Sequence, residues 1–396
     1  MRFLLPLFLV LSCAPALANE LTTDQWRQDL KVLATELPKR HKNLFFQLPK
    51  ADFDREVKDL DESIPKLSDL EIRAGLMRLV ASIGNAHTTI DAFRGMPDFP
   101  IWFSFFDDGV YVTGAPQSQP QLLGSRLLAV NGISVEEVRR RLLPFMPMEN
   151  DVEPLRHSDL LHSAAALKSV GVIAEMDKAA FTLQREGTSF VIELHSAQQV
   201  PMIKDSAGFK LPLFRSRWGL DYWYEYLPDA KTMYVQYNAC RNMKQQSFAD
   251  FTAEVMKTVD SSPIDRFVVD LRFNGGGNSD VIRPLIEALS SRHRLRVFAI
   301  VGINTFSSGF IAALDLQKNC HAFLVGQAMG QRPNAYGDTL PLKLPNSGLT
   351  VTYSTKFFRY VEEGDPAHIE PDVRVANKAA DHFGGRDPIL DYILSH

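Results

Sequence analysis

Ser307 is the residue whose setting could do chemistry. It lies in Thr305-Phe306-Ser307-Ser308-Gly309, after the apolar run Arg296 to Val301 and before the helix-like run Phe310 to Gln317. A hydroxyl at a helix N-terminus is exposed, and the helix dipole favours negative charge developing beside it. The N–H of Ser308 would be free to stabilise a tetrahedral oxyanion, together with an N–H from a glycine loop. Asn274-Gly275-Gly276-Gly277-Asn278 is such a loop, and it follows the strand-like Val268 to Leu271. Its glycines let the backbone take positive φ and approach a ligand closely. The loop lacks the Gly-Lys-Ser/Thr of a phosphate loop and does not match Gly-x-Gly-x-x-Gly. A plainer reading stays open for both features. Ser307 or Ser308 would then only cap the helix, and the glycines would only make a tight strand-to-helix turn.

Other chemistries find less support. There is no His-Glu-x-x-His and no Cys-x-x-Cys, so neither a metal ligand set nor a cofactor is expected. Cys240, in Tyr237-Asn238-Ala239-Cys240, is a second nucleophile candidate. Burial at a strand end, or a bond to Cys320, is the plainer fate for it.

The elements that would position these residues fall into three regions. Residues 19–96 read as helical. Trp26, Leu30, Leu33 and Leu37 keep helical spacing, and Ser68-Asp69-Leu70-Glu71 is a capping box ahead of a second apolar stripe. Gly84 suits the end of that helix and leaves Asn85-Ala86-His87-Thr88 in a loop. Residues 97–200 read as short strands and turns. The stretch Gly124 to Gly132 is a strand with a turn signal, a hairpin centres on Glu186-Gly187, and Met146 to Lys178 reads as an insertion. Residues 201–396 alternate strands with helices, which implies a largely parallel sheet with functional loops at strand C-terminal ends.

Composition narrows the partners. The chain has 396 residues, net charge −4, 45% apolar and 23% charged residues. This is globular composition with no basic footprint, so nucleic acid is not expected as a partner. Met1-Arg2, the apolar Phe3 to Leu11 and Ala16-Leu17-Ala18 read as a secretory signal peptide, residues 1–18, cut after Ala18. The protein is therefore expected in the periplasm or outside the cell, with no transmembrane span. Val10-Leu11-Ser12-Cys13 is a loose lipobox, which would anchor the chain through Cys13. Leu11 and the Ala-x-Ala site argue against it.

As a set, these motifs resemble the tail-specific, or C-terminal-processing, serine peptidases, whose relatives include the tricorn core and the interphotoreceptor retinoid-binding proteins. The stretches that carry the resemblance are Val269 to Gly277, Thr305 to Gly309, Leu324-Val325-Gly326-Gln327 and Ile369-Glu370-Pro371-Asp372-Val373. Gly124 to Gly132 resembles the end of the family's PDZ-like domain. The resemblance implies a multidomain α/β fold: a helical N-terminal region, a PDZ-like β domain and a ClpP/crotonase-like α/β catalytic core. It identifies Ser307 as the nucleophile.

Two positions depart from the family pattern. Many members have Glu where this chain has Phe310. Bacterial processing enzymes use a Lys base 25 residues after the serine, where this chain has Arg332. A guanidinium does not deprotonate, so a Ser/Lys dyad is excluded. Gly84-Asn85-Ala86-His87-Thr88 resembles instead the Gly-Asp-x-His-Thr segment of the tricorn-like branch, which makes His87 the base. The same branch has an acid shortly before the closing Pro-Asp, and here that points to Asp365, with Glu363 beside it.

The expected activity is hydrolysis of peptide bonds in a peptide or protein substrate. Ser307 attacks, His87 acts as base and then acid, and Asp365 or Glu363 orients His87. The N–H groups of Ser308 and Gly275 or Gly276 hold the oxyanion. Two alternatives remain: a non-catalytic homologue that binds peptides or apolar ligands on the same fold, and an esterase-type acyl hydrolase.

Overall fold

Caps and apolar spacing account for the N-terminal helices. α1 (Thr23–Arg40) starts at a capping box of Thr22 and Gln25 and buries Trp26, Leu30, Leu33 and Leu37. α2 (Lys50–Ser63) and α3 (Asp69–Ala81) follow, and the box expected at Ser68 and Glu71 is formed. Gly84 takes φ +74, a conformation that suits glycine. It turns the chain from α3 into the loop carrying His87, which runs into β1 (Thr89–Ile90). The computed structural model describes residues 21–197, 200–204, 211–217 and 219–396. The expected signal peptide and Cys13 lie outside the described residues.

The middle region is an antiparallel sheet with short helices. Its strands are β2 (Trp102–Phe106), β3 (Gly109–Pro116), β4 (Arg126–Val130), β5 (Ile133–Ser134), β6 (Lys178–Arg185), β7 (Thr188–His195) and β8 (Met202–Lys204). The main path runs β2-β3-β4-β6-β7, with β5 on β4 and β8 on β3. The sheet thus takes a strand from beyond residue 200. α4 (Val135–Leu142) follows β5 as its spacing predicts. The hairpin turns at Glu186 and Gly187, both at positive φ. Between α4 and β6 the chain makes tight turns and one short helix, α5 (Ala164–Ser169).

The last region holds the largely parallel sheet that the alternating pattern predicts. Its strands are β9 (Tyr222–Leu227), β10 (Thr232–Tyr237), β11 (Arg266–Asp270), β12 (Arg296–Val301), β13 (Phe323–Gly326), then β14 (Asn334–Lys343), β15 (Thr350–Arg359) and β16 (Val373–Arg374). Its helices are α6 (Phe248–Ser261), α7 (Arg283–Ser290), α8 (Ser308–Cys320), α9 (Ala379–Phe383) and α10 (Pro388–Ser395). Six strands form one sheet in the order β16-β13-β12-β11-β10-β9. All its pairings are parallel except β9 on β10. One face packs on α6, α7 and α8 through residues such as Phe248, Phe251, Leu285 and Leu316. The other packs on α10 through Leu390 and Ile393. Apolar burial on both faces explains why β10 to β13 read as continuous hydrophobic runs.

β14 and β15 leave that sheet. They pair with each other and, through β15, antiparallel with β1 of the N-terminal region. Leu342, Leu344, Leu349 and Val351 join the same core as Trp26 and Leu76. A hairpin of the last region is therefore built into the first, beside the loop that carries His87. Asp29 of α1 fixes the hairpin turn. Its buried carboxylate accepts the N–H groups of Asn346 and Ser347 at 2.9 and 2.7 Å and the Asn346 side-chain amide at 3.0 Å.

Candidate active site

Ser307 stands between β12 and α8, at φ +52 and ψ −126. A non-glycine residue at positive φ is strained, and such strain persists where surrounding bonds over-determine it. Those bonds are present. The N–H of Phe306 donates to the Asn274 carbonyl at 2.9 Å. The N–H of Ser307 donates to Gln331 Oε1 at 2.7 Å. Gly309 lies so near Asn274 that an added Cβ would sit 2.3 Å from its carbonyl oxygen. The helix-capping reading does not hold, because the Ser307 side chain makes no cap bond. The Ser308 hydroxyl is also otherwise engaged, donating to the Gly277 carbonyl at 2.7 Å.

Asn274 holds the glycine loop. Its amide donates to the Tyr237 carbonyl at 2.9 Å. Its Oδ1 accepts the N–H of Gly276 at 2.9 Å and the Cys240 thiol at 3.3 Å. This corrects the expectation for Gly276. Its N–H is committed to Asn274, so it does not stand free for an oxyanion. What Gly276 provides is the absence of a Cβ. At φ +109, an added Cβ would lie 2.6 Å from Ser307 Cβ and 2.9 Å from Ser308 N. Gly275 is exposed, with nothing close to its Cβ position. Ser308 begins α8, so its N–H has no acceptor within the helix.

His87 and Ser307 line one cleft of about 390 Å³, with Ser308, Gly277 and Tyr336 among its walls. The structure thus brings the two main sequence candidates together. They do not yet share a hydrogen bond among the described contacts. The His87 ring stacks on Phe306 at 4.4 Å, and the Arg156 guanidinium covers the same phenyl ring at 3.7 Å. Burial, then the nearby Arg156 charge, pushes His87 down to about 4. The imidazole is therefore neutral at neutral pH, as a proton acceptor must be, but a weak base. His87 Nδ1 is buried without a partner.

The acids chosen from sequence do not fill that gap. Asp365 is exposed and holds the Arg332 guanidinium at 2.6 Å. Glu363 is exposed in the same turn. Neither contacts His87 among the described contacts, and the partner of Asp365 is Arg332. His368, a histidine of the same segment, is taken up by Asp151 and Glu370, each at 2.9 Å. Phe310 is fully buried in the core and edges onto Tyr360. Cys240 and Cys320 are free, buried thiols, so the bond between them does not form. Burial raises the Cys240 thiol, and a protonated, sealed thiol is a poor nucleophile.

Sequence reasoning missed Gln331, Phe306, Arg156 and the buried network behind His87. In that network, Asn85 Oδ1 accepts the hydroxyls of Thr88 and Ser354, both at 2.7 Å. Asn85 Nδ2 donates to Glu149 Oε1 and to the Tyr336 carbonyl, both at 3.1 Å. No local pattern marks Glu149, Tyr336 or Ser354, since they come from three segments distant from Asn85. Among the described residues, no cluster of His, Cys, Asp or Glu could hold a metal ion, and no helix is long and apolar enough to cross a membrane.

No family model matches this sequence, and no curated protein matches it by sequence. Solved structures do resemble it. Mature CPAF complexed with lactacystin superposes with TM-score 0.67 at 12% identity, covering 94% of this chain and 98% of its own. A mutant of CPAF gives TM-score 0.68 at 13% identity, covering 94% and 96%. The photosystem II D1 C-terminal processing protease is more distant, with TM-score 0.44 at 13% identity over 90% and 94%. The likeness to CPAF shows that the two chains share a multidomain α/β fold over nearly their whole length.

Proposed function

We propose that this protein is an exported serine peptidase that works through Ser307 and His87. The observation that carries the reading is the setting of Ser307. Its hydroxyl is uncapped, its backbone is strained, and it shares a cleft with a neutral imidazole. A serine on a strained strand-to-helix turn is a recurrent way to present a nucleophile. Ser307 Oγ would attack the substrate carbonyl while His87 takes its proton. The tetrahedral oxyanion would be held by the Ser308 N–H and by a glycine-loop N–H, from Gly275 or Gly277. His87 would return the proton to the leaving amine, and water would release the acyl-enzyme. Catalytic contacts often tighten only when substrate is bound, and a turn of the His87 ring off Phe306 toward Ser307 is the movement required.

A peptide suits the cleft better than an apolar ligand. Asn278, Ser279, Asp280, Asp338 and Lys356 are among its walls. Phe310, which stands where many family members have Glu, faces the core. The leader sequence supports export, and the strand-turn pattern of Gly124 to Gly132 supports a PDZ-like role for the middle sheet in shaping the approach. The test is hydrolysis of an unfolded protein substrate beside a matched ester series. Ser307→Ala and His87→Gln should each abolish peptide cleavage. Full peptide cleavage by Ser307→Ala would refute the reading, and cleavage of esters alone would replace it with an esterase.

A further inference from the structure

The weak basicity of His87 leaves a question for the site: which group supplies the negative charge that an imidazolium needs during proton transfer? Asp365 and Glu363 face solvent. The buried carboxyl of Glu149 is differently placed. It lies between α4 and the tight turn at Glu153–Arg156, and its residue is only 3% exposed. Glu149 Oε1 accepts from Asn85 at 3.1 Å. The main-chain N–H groups of Ala86 and Arg332 face the same carboxyl, yet neither closes to a full hydrogen bond, and Oε2 remains without a partner.

These contacts converge on both halves of the candidate pair. Asn85 and Ala86 are the two residues before His87. Arg332 follows Gln331, whose side chain holds the Ser307 N–H. Two buried polar atoms without partners, His87 Nδ1 and Glu149 Oε2, thus flank Ala86. A buried carboxylate is costly to keep unless its charge is used or fully paired.

We propose that Glu149 is the positioning residue for the His87 base. Its carboxylate fixes the Asn85–Ala86 approach to His87 and places a negative charge behind the imidazolium formed when Ser307 gives up its proton. The inference rests on the hydrolase reading of Ser307 and His87. The proton moves from Ser307 Oγ to His87 and on to the leaving group, and Glu149 exchanges none in that step.

The surroundings set when Glu149 carries charge. Burial chiefly, and Glu153 on the same segment, push its carboxyl up to about 7. Glu153 is itself bound by Arg156 and His157. From α1, His41 reaches Asn85 Oδ1 at 3.5 Å, and burial lowers its pKa. Arg332 keeps its guanidinium on Asp365, and Tyr336 of β14 offers only its carbonyl to Asn85. Glu149 therefore passes from acid to carboxylate as pH rises through neutrality, and His87 should become the stronger base over the same interval.

The test is the rate of Ser307 labelling by a fluorophosphonate, measured on the full chain from about pH 6 to about pH 8. Wild type should label faster as pH rises through about 7. Glu149→Gln should flatten that rise and slow labelling at the alkaline end by at least about 10-fold. Glu149→Asp should restore part of the rise. A labelled wild type whose profile is unchanged in folded Glu149→Gln overturns the inference alone. A wild type that never labels overturns the hydrolase reading, and this inference with it. If the variants do not fold, the His87 imidazole NMR signal of wild type still decides. It should shift as Glu149 ionises near neutral pH, and a signal that stays fixed across that range overturns the proposal.

Discussion

The imidazole of His87 lies on the phenyl ring of Phe306, centroids 4.4 Å apart and planes 22° from parallel. Phe306 directly precedes Ser307, so the His87 ring rests on the residue next to Ser307. Arg156 completes the stack from the middle region. All three parts of the chain meet at this ring: the N-terminal loop, the insertion and the core. The arrangement keeps His87 neutral and largely buried.

Removing the charge on Arg156 should therefore strengthen the base. Burial lowers His87 most, and the Arg156 charge lowers it further. In Arg156→Gln the His87 pKa should rise from about 4 toward its ordinary value. Histidine NMR titration would show this directly. The acid limb of Ser307 labelling should move to higher pH by the same amount.

Gly276→Ala should disable the site by crowding it. A Cβ there meets Ser307 and Ser308 below 3.0 Å, and the residue must also hold φ +109. The cost in stability should be about 1–3 kcal/mol, and labelling of Ser307 should fall at least about 100-fold. Gly275→Ala meets nothing within 4 Å and should melt close to wild type. Thermal unfolding with a parallel labelling assay separates the two effects.

The pH dependence of stability should have two opposed components. His87 and His162 are both pushed down to about 4, chiefly by burial. The unfolded chain, with histidines near ~6.5, then binds more protons than the folded one between about 4 and ~6.5. Their contribution is present above ~6.5 and is lost as pH falls toward about 4, by at most about 3 kcal/mol each. Both residues keep an edge open to solvent, which reduces that figure. Glu149 runs the other way. Burial raises its folded pKa to about 7, above the ordinary 4.5, so its contribution is present below 4.5 and is lost as pH rises through about 7. Glu149→Gln should remove this loss, about 3 kcal/mol at most and complete by about pH 7. Urea unfolding of both proteins across the range should show the variant gaining more stability than wild type between about 4.5 and about 7, with both curves level above that.

Asp29→Ala should loosen the cleft from a distance. Asp29 is buried and accepts three hydrogen bonds from Asn346 and Ser347 in the turn between β14 and β15. Its loss strands those donors, at a cost of about 3 kcal/mol or more. The same hairpin carries Tyr336, Gly337 and Phe358 into the cleft wall. A lowered urea midpoint should therefore come with slower labelling of Ser307.

Local signals in the sequence were enough for much of this architecture. The capping box at Ser68, the turn at Glu186-Gly187 and the buried strands β11 to β13 each rest on neighbouring residues, and each forms as the spacing predicts. Ser307 and the glycine loop were visible for the same reason. The β14–β15 hairpin was not. Its pairing with β1 joins residues more than 200 positions apart, as at Thr89 and Thr352, and no local period encodes such a contact. The surroundings of His87 were hidden on the same ground. Counting back from Pro371-Asp372 reaches Asp365, whose carboxylate pairs with Arg332. The Asn85–Glu149 contact is marked only by burial and by residues from distant loops. Gly276 shows a subtler limit, since the sequence shows that a glycine is needed and not whether its N–H is free.

The most direct measurement is the site of covalent labelling. The full chain is treated with a fluorophosphonate at neutral pH, digested and mapped by mass spectrometry, with Ser307→Ala and His87→Gln in parallel. A single adduct on Ser307, absent in the alanine variant and strongly slowed in the glutamine variant, is the predicted result. An unlabelled Ser307, or equal labelling without His87, would contradict the Ser307–His87 mechanism.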